Sequence, residues 1–192
     1  LTKYNRTFLF IKPDLLVVSD DLSAGASHTF QWLLHTAPGA TPVRQNVGMT
    51  VEGEGGRAML TAVASNPALR WQIGPAPIAI GNFENLDRVP VRKRYILSLE
   101  SKPSLNARFL VGLSVTQSSE PSTIERCSTK SGEGFLQNHA GQRTEVLFRK
   151  NSGLLEVSGV TTDGNVLVVT QSNSGNDSHV FVSHARFIHM VG

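Results

Sequence analysis

The sequence predicts an all-β fold, an antiparallel sandwich of two packed sheets with about 12 strands. Apolar and polar residues alternate with a period of two over most of the 192 residues. The apolar runs are short and rich in β-branched residues, and clusters of Gly, Pro, Asn, Asp and Ser separate them. Helix signals are scarce. We expect residues 1–192 to form a single sandwich domain, with a closed barrel as the alternative.

The first 36 residues predict the opening meander of this fold. Its strands are expected at residues 7–11, 15–20 and 29–36, and Lys12-Pro13-Asp14 supplies the turn between the first two. The chain starts inside this pattern, so we expect it to be part of a larger protein. The later strands are predicted at residues 49–52, 57–64, 69–73, 95–99, 108–116, 134–137, 144–150, 154–159, 166–171 and 180–190.

Two turn sequences in the C-terminal part of the chain predict β-hairpins. Thr162-Asp-Gly-Asn165 lies between two β-branched runs, and Asn151-Ser-Gly153 separates two other strands. Residues 121–127 could form one helical turn. Residues 74–88 are rich in Pro and Gly and too long for a hairpin, which predicts a functional or interface loop.

Composition narrows the classes of partner. Charged residues make up only 17% of the chain and the formal net charge is +3, which is far from the dense basic surface of a nucleic-acid-binding protein. No apolar run approaches the ~18 residues of a membrane-spanning helix. Cys127 is the single cysteine, so no internal disulfide framework can form. We therefore expect neither nucleic acid nor membrane as a partner.

Three patterns that resemble catalytic or cofactor motifs are better explained by turns and strands. The run from Gly53 to Ala58 fits a loose dinucleotide fingerprint, but no βαβ unit surrounds it. Asp20 and Asp21 are strand neighbours that point to opposite faces, so they cannot share a proton, and a strand-ending turn is their expected role. Cys127 has no adjacent histidine, and no Gly-x-Ser-x-Gly elbow occurs, so a nucleophilic triad is not expected.

The histidines do not predict a metal site. Neighbouring pairs are seven or five residues apart, and odd spacing places strand residues on opposite faces. His35 has the best claim to a functional role, because it ends an apolar strand beside Trp32 and precedes a Pro/Gly loop. The six histidines are His28, His35, His139, His179, His184 and His189.

A few other residues suggest ligand or domain contacts. Trp32 and Trp71 could stack on sugar rings, although packing in the core is the favoured alternative for both. The basic run of residues 88–94 includes Arg92 and Arg94. Such a run is usually a solvated surface, but it could attract an acidic polysaccharide or an acidic neighbouring domain.

The opening segment resembles the C-terminal half of the heparinase II/III-like polysaccharide lyases, a group that includes the oligo-alginate lyases. The similarity is carried by Arg6-x-Phe-Leu-Phe-Ile-Lys-Pro-Asp-x-Leu-Val-Val-x-Asp-Asp-Leu and by His28-x-Phe-x-Trp-Leu-Leu-His35. It continues more weakly through Ala58-Met-Leu-Thr and the strand-rich remainder. This is a structural strand–turn–strand signature rather than a catalytic motif.

The resemblance implies a particular chemistry and a particular partner. Lyases of this family cleave uronate-containing polysaccharides by β-elimination, which needs a base and a group that stabilises the enolate-like intermediate. The family's N-terminal helical toroid carries an Asn/His and a Tyr, and its histidine and zinc ligands come from an H-x-H-x-D segment and a later His-Asn element. The chain contains neither element, and neither Tyr4 nor Tyr95 can be assigned the role of the catalytic tyrosine.

We therefore expect a catalytically incomplete portion of a periplasmic or secreted bacterial lyase. Its expected ligand is an acidic polysaccharide, alginate ahead of glycosaminoglycans, and its expected partner is the N-terminal toroid of the same protein. No cofactor is expected in the chain itself, and a zinc site would lie upstream of Leu1. Trp32, His35, Trp71, Arg92 and Arg94 are the predicted substrate-binding or domain-interface residues. A stand-alone carbohydrate-binding or structural module is the alternative.

Overall fold

The all-β antiparallel fold predicted from the period of two is confirmed. A computed structural model describes residues 1–46, 48–53, 58–76, 94–117, 119, 122–174 and 177–191. These residues contain no helix and form 17 strands in four antiparallel sheets. The strand number exceeds the predicted twelve because residues 41–44, 123–128 and 160–162 also form strands and because the predicted strand over residues 180–190 divides into two.

The larger central sheet has six strands. Its two edge strands are the first and the fourth strands of the chain. Its strands in spatial order are β1 (Lys3–Ile11), β2 (Leu15–His28), β9 (Ser104–Gln117), β6 (Ala58–Ala64), β5 (Gly48–Glu52) and β4 (Thr41–Arg44).

The second central sheet has five strands, and each of the two outer sheets has three. The five-stranded sheet consists of β10 (Thr123–Ser128), β11 (Gly132–His139), β12 (Gln142–Arg149), β15 (Val166–Ser172) and β16 (Ser178–Ser183). The outer sheets are β3 (Gln31–His35), β8 (Tyr95–Glu100) and β7 (Trp71–Pro75), and then β13 (Leu155–Val157), β14 (Val160–Thr162) and β17 (Ile188–Met190).

Three hydrophobic cores separate these four layers. Successive side chains of a strand point to opposite faces, so adjacent residues of one strand enter different cores. Val17 packs with Phe135 between the two large sheets, while Val18 packs with Trp32 against the β3–β8–β7 sheet. Leu147 belongs to the third core, between the five-stranded sheet and the β13–β14–β17 sheet. Each large sheet therefore contributes to two cores, although the outer face of the edge strand β1 stays exposed.

The two large sheets pack tightly against each other around Gly112 of β9. A Cβ at this position would lie 2.8 Å from Ile124 Cδ1 and 3.0 Å from the Phe135 ring. Those distances are shorter than ordinary carbon–carbon contacts, so a larger residue here would force Ile124 and Phe135 to shift.

Both predicted hairpins in the C-terminal part are wrong. Residues 151–153 connect β12 to β13, and residues 163–165 connect β14 to β15, and in each case the two strands belong to different sheets. Turn chemistry predicts where a chain reverses, but the pairing of the flanking strands depends on distant partners. For the same reason, the predicted strand over residues 180–190 divides into β16 and β17, which lie in different sheets.

Two further expectations have mixed outcomes. Most of residues 121–127 form strand β10 rather than a helical turn, and its Ile124 is buried in the central core. Residues 54–57 of the Gly53–Ala58 run lie outside the described residues, while β6 begins directly after them.

Candidate ligand-binding cleft

An open cleft of about 870 Å³ lies at one end of the central core, between the two large sheets. From β1, residues Lys3, Asn5 and Thr7 line it, since a spacing of two places them on one face. From β2, Ser19 and Asp21 face the same space. The wall supplied by the six-stranded sheet is therefore built mainly from hydroxyl, amide and charged side chains, with Leu22 and Ala107 as its apolar members.

The opposite wall comes from the ends of β12, β15 and β16 and from the connections between sheets. Asn151 and Asn165 lie in those connections, and Arg149 and Lys150 stand at the end of β12. The crossing segments that were predicted as hairpins thus carry amide side chains to the cleft. Amides combined with hydroxyls are suited to hydrogen bonding of polyhydroxylated ligands.

Positive charge dominates the cleft. Among the described lining residues, Lys3, Arg108, Arg149 and Lys150 are cationic, and Asp21 is the acidic one. A cleft lined by one sign of charge concentrates ligands of the opposite sign. The charge distribution therefore favours an anionic ligand.

Arg149 and Lys150 are held by neutral acceptors. Arg149 donates from Nη1 to the Asp163 carbonyl at 2.8 Å and from Nη2 to Asn165 Oδ1 at 2.5 Å. Lys150 Nζ donates to the Thr129 carbonyl at 2.8 Å. Carbonyl and amide oxygens orient these side chains without neutralising them, so both positive charges stay available to a ligand.

Arg108 is fixed more firmly at the floor of the cleft. Its Nη1 lies 3.3 Å from Glu133 Oε1 and donates to the Arg149 carbonyl at 3.2 Å, and its Nε lies 3.7 Å from Asp21 Oδ1. Its side chain is only 28% exposed. Arg108 therefore links the two large sheets, and its charge is partly balanced by two carboxylates.

Asp163 supports the wall that holds Arg149. Its carboxylate accepts hydrogen bonds from Arg186 Nε at 2.7 Å and from the backbone N–H groups of Arg186 and Phe187. The Arg186 side-chain hydrogen bond, reinforced by these backbone donors, lowers the pKa of Asp163 to about 2. The carboxylate is ionised at neutral pH and fixes residues 163–165, whose carbonyl and amide groups position the Arg149 guanidinium.

The two predicted tryptophans lie in the core and not in the cleft. Trp32 and Trp71 flank Leu99 from the neighbouring strands, and each is 5% exposed. Their rings pack edge to face, with centroids 5.8 Å apart and an interplanar angle of 84°. The core packing that the sequence favoured is confirmed, and neither ring offers a free face for stacking on a sugar.

The other predicted binding residues lie away from this cleft. His35 is exposed on β3 and pairs with Ile96, and the carbonyl of Arg94 accepts a hydrogen bond from Ala76 N at the same end of the small sheet. Arg92 and most of the loop at residues 74–88 lie outside the described residues. A domain-interface role for His35, Arg92 and Arg94 stays a prediction.

The adjacent acids Asp20 and Asp21 point to opposite faces, as the strand geometry predicted. The predicted strand-ending turn is wrong, because β2 continues to His28. The Asp20 carboxylate instead accepts hydrogen bonds from Nε and Nη2 of Arg6, each at 2.6 Å. These hydrogen bonds raise the pKa of Arg6. Asp21 faces the cleft beside Arg108. The two carboxylates have separate roles, one structural and one in the cleft.

The described residues hold no cluster arranged as a metal centre, and the single cysteine is not activated as a nucleophile. No group of three or more His, Cys, Asp or Glu side chains among them is arranged to hold a metal ion. Burial raises the pKa of the Cys127 thiol, with a smaller contribution from the charge of Glu145, so the thiol is protonated at neutral pH. Within the described ranges there is also no helix that could span a bilayer.

The cleft residues carry only weak sequence signals. No local pattern distinguishes Arg108, Arg149 and Lys150 from other strand or strand-end residues. They come together through strand pairings between distant parts of the chain. The alternation of Lys3, Asn5 and Thr7 is the one local signal of a polar strand face.

No protein-family model matches the chain, and no curated protein is significantly similar to it in sequence.

Proposed function

We propose that this chain binds an acidic, uronate-containing polysaccharide in the cleft, as the β-sandwich portion of a polysaccharide lyase. The single observation that carries the binding role is the pair Arg149 and Lys150, whose charges are oriented by neutral oxygens at the mouth of an amide- and hydroxyl-lined cleft. Uronates combine carboxylates with hydroxyl groups, which matches these donors. The link to a lyase rests on the resemblance of the opening segment.

In this proposal the chain contributes binding and not bond cleavage. β-Elimination neutralises the uronate carboxylate, removes the C5 proton and expels the 4-O-linked sugar. Arg149 and Lys150 suit the first of these tasks, since they offer hydrogen-bonding cations to a carboxylate. The base would come from the helical toroid that the resemblance implies. Alginate is the proposed substrate ahead of glycosaminoglycans, in a periplasmic or secreted bacterial enzyme.

The toroid is also the proposed partner for an exposed aromatic stripe on β1. Tyr4, Phe8 and Phe10 are each more than half exposed, and the Arg6 guanidinium lies between two of them, 5.6 Å from the Tyr4 centroid and 5.8 Å from that of Phe8. Contiguous apolar surface of this kind is typical of an interface. Because the other face of β1 lines the cleft, a domain seated on the stripe would border the bound polysaccharide.

Calorimetric titration tests the binding role. We expect the chain to bind an alginate oligosaccharide and not a neutral glucan of equal length. Arg149→Gln should weaken binding roughly tenfold, the effect of losing one charge-assisted hydrogen bond. Absence of alginate binding by the unmodified chain would contradict the proposal.

A lyase assay tests the division of labour. Absorbance of the unsaturated product should appear when the upstream region of the gene is expressed with this chain, and not with this chain alone. Rapid β-elimination by the chain alone would show that it is catalytically complete. In the joined protein, Phe8→Ser should lower the melting temperature, while in the isolated chain this exposed position should tolerate the change.

The second candidate is a stand-alone carbohydrate-binding module. The observation in its favour is that the cleft is formed by residues of this chain without help from a partner. The gene sequence upstream of Leu1 discriminates between the two, since a helical toroid with an H-x-H-x-D segment supports the lyase and an unrelated domain supports the module.

A further inference from the structure

A second cationic pocket lies at the same end of the sandwich. It has a volume of about 290 Å³ and borders Trp71. Arg44, Arg70 and Arg126 line it together with the side-chain amide of Asn46, and none of its described lining residues is acidic. Three guanidinium groups around a small pocket, whose described lining includes no carboxylate, are suited to an anionic group.

Neutral oxygens orient two of these arginines. Arg126 Nε donates to the Ala64 carbonyl at 2.7 Å, and Arg44 Nη2 donates to the Trp71 carbonyl. Burial lowers the pKa of Arg126. In this respect the pocket resembles the cleft, where a backbone carbonyl likewise orients the guanidinium of Arg149.

The side chain of Glu133 connects this pocket to the cleft. Its Oε1 lies 3.3 Å from Arg108 Nη1 in the cleft, and its Oε2 accepts a hydrogen bond from Ser65 Oγ at 3.4 Å. Ser65 directly follows Ala64, whose carbonyl holds Arg126. One carboxylate therefore lies between the two cationic surfaces.

Strand order gives the separation of the two surfaces. Arg108 lies on β9 and Arg44 on β4, and β6 and β5 lie between these strands. Three strand spacings amount to about 14 Å. A single uronate carboxylate cannot reach both surfaces, whereas carboxylates on different sugars of one chain can.

We propose that the pocket of Arg44, Arg70 and Arg126 is a second anion subsite for the same acidic polysaccharide. This inference rests on the proposed function and adds that the ligand is an extended polyanion, whose acidic groups contact both surfaces as it crosses this end of the sandwich. Two linked contacts raise affinity beyond that of either alone. Affinity should therefore rise steeply once an oligosaccharide is long enough to reach Arg44.

The test is calorimetry with alginate oligosaccharides of two and ten sugars on the 192-residue chain. The variant Arg44→Gln, Arg70→Gln changes two exposed side chains. It should lower the affinity for the decasaccharide roughly tenfold, the effect of one or two charge-assisted hydrogen bonds. Its affinity for the disaccharide should stay unchanged. Lys12→Gln, which removes an exposed charge at the opposite end, is the matched control and should alter neither affinity.

The outcomes separate the two proposals. If Arg149→Gln weakens decasaccharide binding while the Arg44/Arg70 variant does not, the second subsite is wrong and the cleft stands. If Lys12→Gln weakens binding as much as the Arg44/Arg70 variant, the effect is one of net charge and the subsite is also wrong. If the unmodified chain binds neither oligosaccharide, the proposed function itself fails. Circular dichroism of each variant verifies that it is folded.

Discussion

The two ends of the central core use polar residues in opposite ways. At the end where β2 begins, Asp14 Oδ2 accepts hydrogen bonds from Gln137 Nε2 at 2.9 Å and from Ser114 Oγ at 3.2 Å, and it lies 3.0 Å from His139 Nδ1. Gln137 also donates to Ser122 Oγ. At the other end, Arg149 and Lys150 surround an open cleft.

The difference is one of charge balance and access. In the Asp14 network, Asp14, Gln137 and Ser114 are linked to one another by hydrogen bonds, and Gln137 and Ser114 are almost fully buried. Within the described residues, the Nε2 atom of the adjacent His139 is buried without a hydrogen-bond partner. Such a network stabilises the packing of the two sheets, and the pocket beside it, about 200 Å³, is much smaller than the cleft at the other end. In the cleft, Arg149 and Lys150 have neutral hydrogen-bond partners. One end therefore serves stability, and the other is suited to binding.

The largest expected effect is on stability at the closed end. Asp14→Ala leaves the Gln137 amide, the Ser114 hydroxyl and His139 without their shared acceptor. We expect the free energy of unfolding to fall by about 3 kcal/mol, since unsatisfied buried polar groups cost about 1–3 kcal/mol each and can partly rearrange. Urea unfolding measures it. Lys12→Ala, two residues away and exposed, should change stability by less than about 0.5 kcal/mol, and equal losses in both variants would contradict the account.

The next effect is on packing between the large sheets. Gly112→Ala places a methyl group 2.8 Å from Ile124 Cδ1. Overpacking of a core costs about 1–3 kcal/mol, and we expect a loss in that range in the same urea experiment. Gly74→Ala is the matched control, because a Cβ there meets no atom within 4 Å. An unchanged free energy of unfolding in Gly112→Ala would show that the sheets can move apart without loss of stability.

A smaller effect is expected in the cleft, where the quantity that changes is the affinity for the ligand. Lys150→Gln removes one exposed cation from the cleft and should weaken binding of an alginate oligosaccharide roughly threefold to tenfold. The free energy of unfolding should change by less than about 0.5 kcal/mol, because an exposed side chain is altered. Calorimetry and urea unfolding on the same samples compare the two quantities. Loss of stability without loss of affinity would reverse the roles assigned to the two ends.

The smallest expected effect is the acid dependence of stability from Asp163. Its pKa is lowered to about 2 from an ordinary value of 3.8. A lowered carboxyl pKa contributes stability that is present above the unfolded value and is lost as pH falls through the folded one. Melting temperatures of the unmodified chain and of Asp163→Asn should therefore differ at pH 5 and converge as pH falls from about 4 towards about 2. A constant difference over this range would contradict the ion-pair role of Asp163.

Local patterns predicted much of the fold. The period of two identified most strand positions and the opposite orientation of Asp20 and Asp21, and the apolar context of Trp32 and Trp71 favoured the core that the structure shows. These properties depend on a few neighbouring residues. The resemblance to lyases stays a prediction.

The cleft could not be predicted in the same way, because it depends on which sheet each strand joins. Asn151 and Asn165 looked like hairpin residues, since the local sequence around a tight turn does not reveal that the chain crosses to another sheet. Asp14 appeared as a turn residue, and its contact with Gln137 spans more than a hundred positions. Pairings at such separation leave no periodic trace in the sequence.

The most direct test of the central claim is calorimetric titration of the chain with an alginate decasaccharide at low and high salt, with a neutral glucan of equal length as reference. The account predicts binding of alginate that weakens strongly as salt rises, because exposed charges are screened within about 10 Å at 0.1 M salt, and no binding of the glucan. Equal binding of both sugars, or alginate affinity that does not change with salt, would contradict it.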